Sequence, residues 1–83
     1  MTYKLEISDV AETRLKKFDR EIQRRFFKKV EKLKTAPKSG KPLRYILAGS
    51  WKLYFEKSFR ILYSIDEKRK IVKIESILHK DEF

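Results

Sequence analysis

Lys52, Tyr54 and Arg60 lie within the most aromatic stretch of the chain, SWKLYFEKSFRILYSID, residues 50–66. Arginine grips phosphate oxygens with a fork of N–H donors, and lysine acts as a compact point charge. Tyrosine stacks a base against its ring and hydrogen-bonds through its hydroxyl. A lysine and an arginine held close together repel each other unless an anion lies between them. One phosphate with an unstacked base beside it suits this set. The same residues also fit a solvated strand face whose charges limit edge-to-edge aggregation. From residue types alone both readings stand.

Other chemistries find little support. The only glycines are Gly40 and Gly49, so there is no phosphate-cradling glycine loop. No nucleophile elbow and no metal-ligand spacing is visible. The chain has no cysteine and one histidine, His79, which excludes thiolate and His-rich metal sites. No carboxylate pair stands out, although alternation puts Glu56 on the face of Lys52 and Tyr54.

The charge is lopsided. Twenty-two Lys and Arg stand against 12 Asp and Glu, a formal net of +10 in 83 residues. Such an excess attracts polyanions: nucleic acid first, an acidic protein second, an anionic membrane third. A Lys- and Glu-rich surface of the thermophilic kind has a similar composition without binding anything. No apolar run approaches the roughly 18 residues of a membrane span, and MTYKLEISDV does not read as a signal peptide. A cytoplasmic protein is expected, with residues 1–83 as one domain.

The elements that must position these side chains follow from periodicity. YKLEIS alternates, with Tyr3, Leu5 and Ile7 on one face of a half-buried strand. Ser8 or Asp9 can cap a short helix carrying Val10, Ala11, Leu15 and Phe18 on its apolar stripe. Asp19 caps a second, on which Ile22, Phe26, Val30 and Leu33 form the stripe and Phe27 widens it. Pro37 ends that helix, and APKSGKP is a loop. LRYILAG has no clean period. WKLYFE and FRILYSI alternate as strands, and IVKIESIL reads as a fourth strand, apolar on both faces near its ends. Short connections make the last three antiparallel neighbours. The expected fold is α+β, in the order β-α-α-β-β-β, with a two-helix hairpin on one face of a mainly antiparallel four-stranded sheet. Trp51, Leu53 and Phe55 then face the helices, and Lys52, Tyr54 and Arg60 face away.

Several local patterns, taken in order, resemble the RelE/ParE toxin superfamily of type II toxin–antitoxin systems. They are the early Tyr3-x-Leu5-x-Ile7, the helical hairpin, the Pro- and Gly-containing loop, LAGSWKL, FRILY and ILHK. The resemblance spans essentially the whole chain and favours the RelE-like branch. It implies a ribosome-dependent mRNA endoribonuclease acting in the A site. In that chemistry the RNA 2′-hydroxyl attacks the adjacent phosphate without metal or other cofactor. The ParE-like alternative is a gyrase inhibitor without nuclease activity, and a degenerate antitoxin-binding domain is a third. The implied partners are a RelB-like antitoxin in a hetero-oligomer, the ribosome and mRNA.

Carried over residue by residue, Lys52 resembles the group that orients or activates the nucleophile, and Arg60 the group that binds the scissile phosphate. Lys80 stands at a basic position, usually arginine, that stabilises the transition state. Arg44 and Tyr54 are expected RNA contacts. His79 is the one imidazole able to exchange protons near neutral pH, or else a strand-end residue without a role. Tyr54 stands where a second basic residue is common, and the tyrosine that nuclease members usually carry just beyond the Lys80 position is absent from HKDEF. Strict alternation raises one conflict. If Val72 and Ile74 face the helices, Lys80 points away from Arg60 unless a bulge or curl intervenes.

Overall fold

Residues 2–45 and 48–83 are described in the computed structural model of the chain. The order is β1 (Lys4–Ile7), α1 (Asp9–Leu15), α2 (Arg20–Glu31), β2 (Lys41–Pro42), β3 (Ser50–Phe55), β4 (Phe59–Asp66) and β5 (Ile71–His79). Single 3₁₀ turns follow α2 (Lys32–Lys34), precede β2 (Pro37–Ser39) and follow β5 (Lys80–Glu82). The strands form one sheet in the order β1-β5-β4-β3-β2. β1 runs parallel to β5 and every other pair is antiparallel. The α+β class and the expected order of elements are present. The sheet gains a fifth strand because Lys41 and Pro42 pair with Lys52 and Trp51. Two residues, one of them proline, are too few to carry an alternation signal, and proline is tolerated at a sheet edge. The irregular LRYILAG segment includes Ile46 and Leu47, which lie outside the described residues.

Both helices begin on side-chain caps. The Ser8 hydroxyl accepts the Ala11 N–H at 3.1 Å, and an Asp19 carboxylate oxygen accepts the Ile22 N–H at 2.9 Å. Phe26, Val30 and Leu33 are fully buried with Ala11 and Leu15, against Phe55, Ile61, Tyr63, Val72, Ile74 and Ile77 of the sheet. Val10 departs from its expected place, since it is 67% exposed. Ala11 and Leu15 are one helical turn apart and both buried, and Val10 lies about 100° around the axis from Ala11. Phe27 is likewise half exposed, holding the edge of the Phe26 ring.

β5 is apolar on both faces for a definite reason. Its register against β4 shifts between Leu62 and Tyr63, so that Leu62 pairs with Ser76 but Tyr63 with Ile74. Glu75 is the extra residue of a β-bulge, which reverses the side-chain alternation beyond it. Val72, Ile74 and Ile77 can all be buried in consequence. The bulge carbonyl is satisfied from α1, because the Ser8 hydroxyl donates to Glu75 O at 2.6 Å. Ser8 thus serves helix cap and bulge together. Ser8→Ala is expected to cost about 1–2 kcal/mol, the upper part of the range for a lost cap. A lower urea midpoint with an unchanged denaturant slope would verify it.

Candidate functional site

The face of the sheet away from the helices carries the site. Lys52 and Tyr54 alternate with Trp51, Leu53 and Phe55, and the last of these is buried. On β4 Arg60 is directly opposite Tyr54. Lys41 of β2 is directly opposite Lys52. Three strands therefore deliver cations to one phenol ring. The Arg60 guanidinium carbon lies 4.4 Å from the Tyr54 ring centroid, Lys41 Nζ 5.2 Å and Lys52 Nζ 5.4 Å. Each such contact at an exposed site contributes about 0.5–1 kcal/mol. That partly offsets the repulsion between Lys41 and Lys52, since like charges opposite one another destabilise a sheet. Among the described ion pairs, Glu12, Glu21, Glu56 and Glu82 are matched with Lys16, Arg24, Arg25 and Arg14. The cations around Tyr54 take part in none of these pairs. An anion is the natural complement of this face.

Arg60 is aimed by the turn that precedes it. Its Nη1 donates to the carbonyls of Lys57 at 3.0 Å and Phe59 at 2.9 Å. Glu56 and Lys57 hold φ of 48° and 59°, a left-handed conformation disfavoured without glycine. An ion pair of 2.8 Å from Glu56 to Arg25 on α2 secures this turn.

Lys41 is held in place by a buried phenol. The Tyr63 hydroxyl donates to Pro37 O at 2.7 Å and accepts the Gly40 N–H at 3.0 Å. Burial pushes the pKa of Tyr63 up, against the lowering effect of the Gly40 hydrogen bond. A Cβ on Gly40 would fall 2.5 Å from the Lys52 carbonyl oxygen and 2.6 Å from the Tyr63 hydroxyl. Only glycine allows so close an approach, and that approach brings Lys41 alongside Lys52.

The sequence-derived candidates separate by place. Lys52, Tyr54 and Arg60 come together as expected. Lys80 is exposed at the start of the last 3₁₀ turn, and its N–H donates to Ser58 O at 2.7 Å. Beyond the bulge, Leu78 lies opposite Arg60. The bulge within β5 puts the even positions after it on the Arg60 face, and Lys80 itself lies past the strand in the turn. Arg44 is exposed between β2 and β3 and is not among the described cations over the Tyr54 ring. His79 is opposite Phe59, one residue out of phase with Arg60, and its ring meets the Phe59 ring edge-on at 5.4 Å. Its Nδ1 accepts the Asp81 N–H at 3.2 Å and caps the last turn. The structure does not bring His79 to the Tyr54 cluster.

Two members of the site escaped the sequence reading. Lys41 gave no signal because its strand is two residues long. Phe83 comes from beyond β5, and its ring lies 5.0 Å from Lys52 Nζ. The turn that carries Phe83 is tied to α1, where Arg14 donates to both Glu82 carboxylate oxygens at 2.8 and 2.9 Å. The Glu82 carboxylate also accepts the His79 N–H at 2.8 Å.

Comparison with known proteins gives a consistent result. A family model described as the ParE toxin of the type II toxin–antitoxin system parDE matches residues 5–82. A chain from the crystal structure of the toxin–antitoxin complex RelBE2 of Mycobacterium tuberculosis is 28% identical, with a TM-score of 0.85. That match covers 96% of this chain and 100% of the other. A mutant of the toxin RelE of E. coli in the free state is 20% identical, covering 99% and 87%, with a TM-score of 0.81. A YoeB/ParE toxin from Agrobacterium tumefaciens is 16% identical, covering 92% and 96%, with a TM-score of 0.79. The last two likenesses concern the fold alone. No curated protein matches the chain.

Two outcomes test the geometry. Tyr63→Phe leaves the Pro37 carbonyl and the Gly40 N–H without their partner and should cost about 1–3 kcal/mol in urea unfolding. The Arg14 guanidinium, then the His79 N–H, hold the Glu82 carboxyl at about 2, below its usual 4.5. A depressed carboxyl stabilises the fold above its unfolded value and loses that contribution as pH falls. The tether should therefore hold above 4.5 and release as pH falls through about 2. Nuclear Overhauser contacts between Lys52 and Phe83 should fade over that interval, and Glu82→Gln should weaken them at neutral pH.

Proposed function

The chain belongs to the ParE toxin family of type II toxin–antitoxin systems, within the RelE/ParE superfamily, and we propose that it is a ribosome-dependent endoribonuclease that cuts mRNA in the A site. One observation carries the reading: Lys41, Lys52 and Arg60, from three strands, crowd around the exposed ring of Tyr54. A cluster of that kind suits a phosphodiester with a base beside it.

In this reaction the ribose 2′-hydroxyl attacks the adjacent phosphorus and the bond to the 5′-oxygen breaks. The products are a cyclic phosphate and a free 5′-hydroxyl. Arg60 binds the scissile phosphate, its Nη1 already fixed by two carbonyls. Lys52 orients the nucleophile, and Lys80 offsets the charge that grows on the phosphorane. Fixed cations at that point act by electrostatic stabilisation and call on no metal. Tyr54 and Arg44 contact the RNA. His79 serves through the turn that it caps. Such a toxin works in the cytoplasm, where the ribosomes are.

The partner in this reading is a RelB-like antitoxin in a hetero-oligomer. The likeness to a chain of the RelBE2 toxin–antitoxin complex supports it. An acidic antitoxin would meet the basic face or block entry to the ribosome. The match to a ParE model favours a second reading, a gyrase inhibitor without nuclease activity.

Purified ribosomes translating a defined mRNA separate the two. The nuclease reading expects new mRNA ends at A-site codons, with Arg60→Ala slower by about 10²–10³-fold, the usual loss for one stabilising donor. Intact mRNA together with trapped gyrase–DNA breaks would select the second reading instead.

A further inference from the structure

A site that moves a proton from a ribose hydroxyl needs a group to accept it. The obvious acceptors are elsewhere or engaged. His79 packs against Phe59, one residue out of phase with Arg60. Glu56 is paired with Arg25, and Glu82 with Arg14. What remains at the centre of the cluster is the Tyr54 phenol, 45% exposed, with cations brought to it from the strand on either side and from its own.

We propose that Tyr54, as the phenolate, is the catalytic base that takes the proton from the attacking 2′-hydroxyl. The proposal rests on the nuclease reading above and assigns that reaction its base. The ribose O–H bond breaks and its proton goes to the Tyr54 oxygen. The 2′-oxygen bonds to phosphorus, and the P–O5′ bond breaks with its electron pair on the 5′-oxygen. That oxygen takes a proton from water, and the hydroxide left behind returns Tyr54 to the phenolate. No proton is gained or lost over the cycle.

The geometry fits an anionic phenol. Three positive groups that repel one another around a neutral ring attract a phenolate, and the cross-strand pair Lys41 and Lys52 gains the most. The charged groups facing Tyr54 are Lys41 from β2, Lys52 from its own strand and Arg60 from β4. Phe83 lies beyond Lys52. These groups lower the Tyr54 pKa below the ordinary 10.0, chiefly through the charge of Lys41, then that of Lys52, with Arg60 contributing least, against the opposing effect of desolvation. Lowering an acid's pKa raises its anionic fraction at any pH below that value. A base so placed raises the rate with pH until it is fully ionised.

Two measurements test the proposal. Ultraviolet difference titration of the wild type against Tyr54→Phe isolates this phenol without reference to activity. It should titrate below 10.0, and Lys41→Ala should move it upward. A Tyr54 that titrates at or above the ordinary tyrosine value overturns the proposal whatever the protein does. Single-turnover mRNA cleavage on ribosomes across pH is the second. Wild-type rates should rise and level off at the Tyr54 titration. Tyr54→Phe should be slower by about 10²–10⁴-fold and lose the rising limb. Cleavage by Tyr54→Phe at the wild-type rate with the same limb overturns the base assignment and leaves the nuclease reading standing. Absence of cleavage by the wild type at every pH overturns both, even with a low phenol titration.

Discussion

A strand that buries apolar side chains against two helices and also serves a polar face must keep its alternation in step with both. β5 cannot do so without a break. Its core residues Val72 and Ile74 have even numbers, and Ile77 has an odd one. The bulge at Glu75 absorbs the mismatch. Before it, even positions face the helices; after it, they join Arg60 on the open side. A bulge leaves a carbonyl without a ladder partner, and an unsatisfied buried polar group costs about 1–3 kcal/mol. Ser8 removes that cost while capping α1. The start of the first helix and the phase of the last strand are one arrangement, and the end of β5 and the turn after it follow from it.

The site is built on the far side of that arrangement by a second economy. Tyr63 is a core residue by volume and burial, yet its hydroxyl is the anchor of the loop over Pro37–Gly40. The loop closes against the sheet only because Gly40 has no Cβ. The outcome of that closure is a lysine beside a lysine, an arrangement a sheet does not favour by itself. The Glu56–Lys57 turn has the same character. Left-handed non-glycine residues are kept where the Lys57 carbonyl meets Arg60. Local strain and local repulsion coincide at one patch, and apolar burial on the opposite face of the sheet stabilises both.

The last turn joins the site from a third direction. Arg14 on α1 holds Glu82, and His79 caps the same turn from the helix side of the sheet. Exposed ion pairs contribute little to stability, about 0–1 kcal/mol. Here the interest is positional, because the tether delivers the Phe83 ring to Lys52. The chain has no surplus of elements, and this histidine is used to shape a turn.

Much of this was legible in residue order. The alternation of WKLYFE and FRILYSI put Lys52, Tyr54 and Arg60 on one face, and the stripe of Ile22, Phe26, Val30 and Leu33 marked the helix that covers the other. The Asp19 cap could be read directly, and the first cap was narrowed to Ser8 or Asp9. These features depend on contacts between near neighbours or on a strict period, so a linear reading recovers them. The fifth strand, the Gly40 approach, the Arg14–Glu82 tether and the side on which His79 falls could not be read that way. Each depends on which distant backbone lies alongside. Lys41 is 13 residues from Tyr54 and Phe83 is 29, and neither is marked by a period. The sequence by itself determined the fold class, the basic character and three of the residues on the cationic face. Only the tertiary structure decided that Lys41 and Phe83 join them and His79 does not, because a one-residue bulge reverses a strand's facing and leaves no trace in composition.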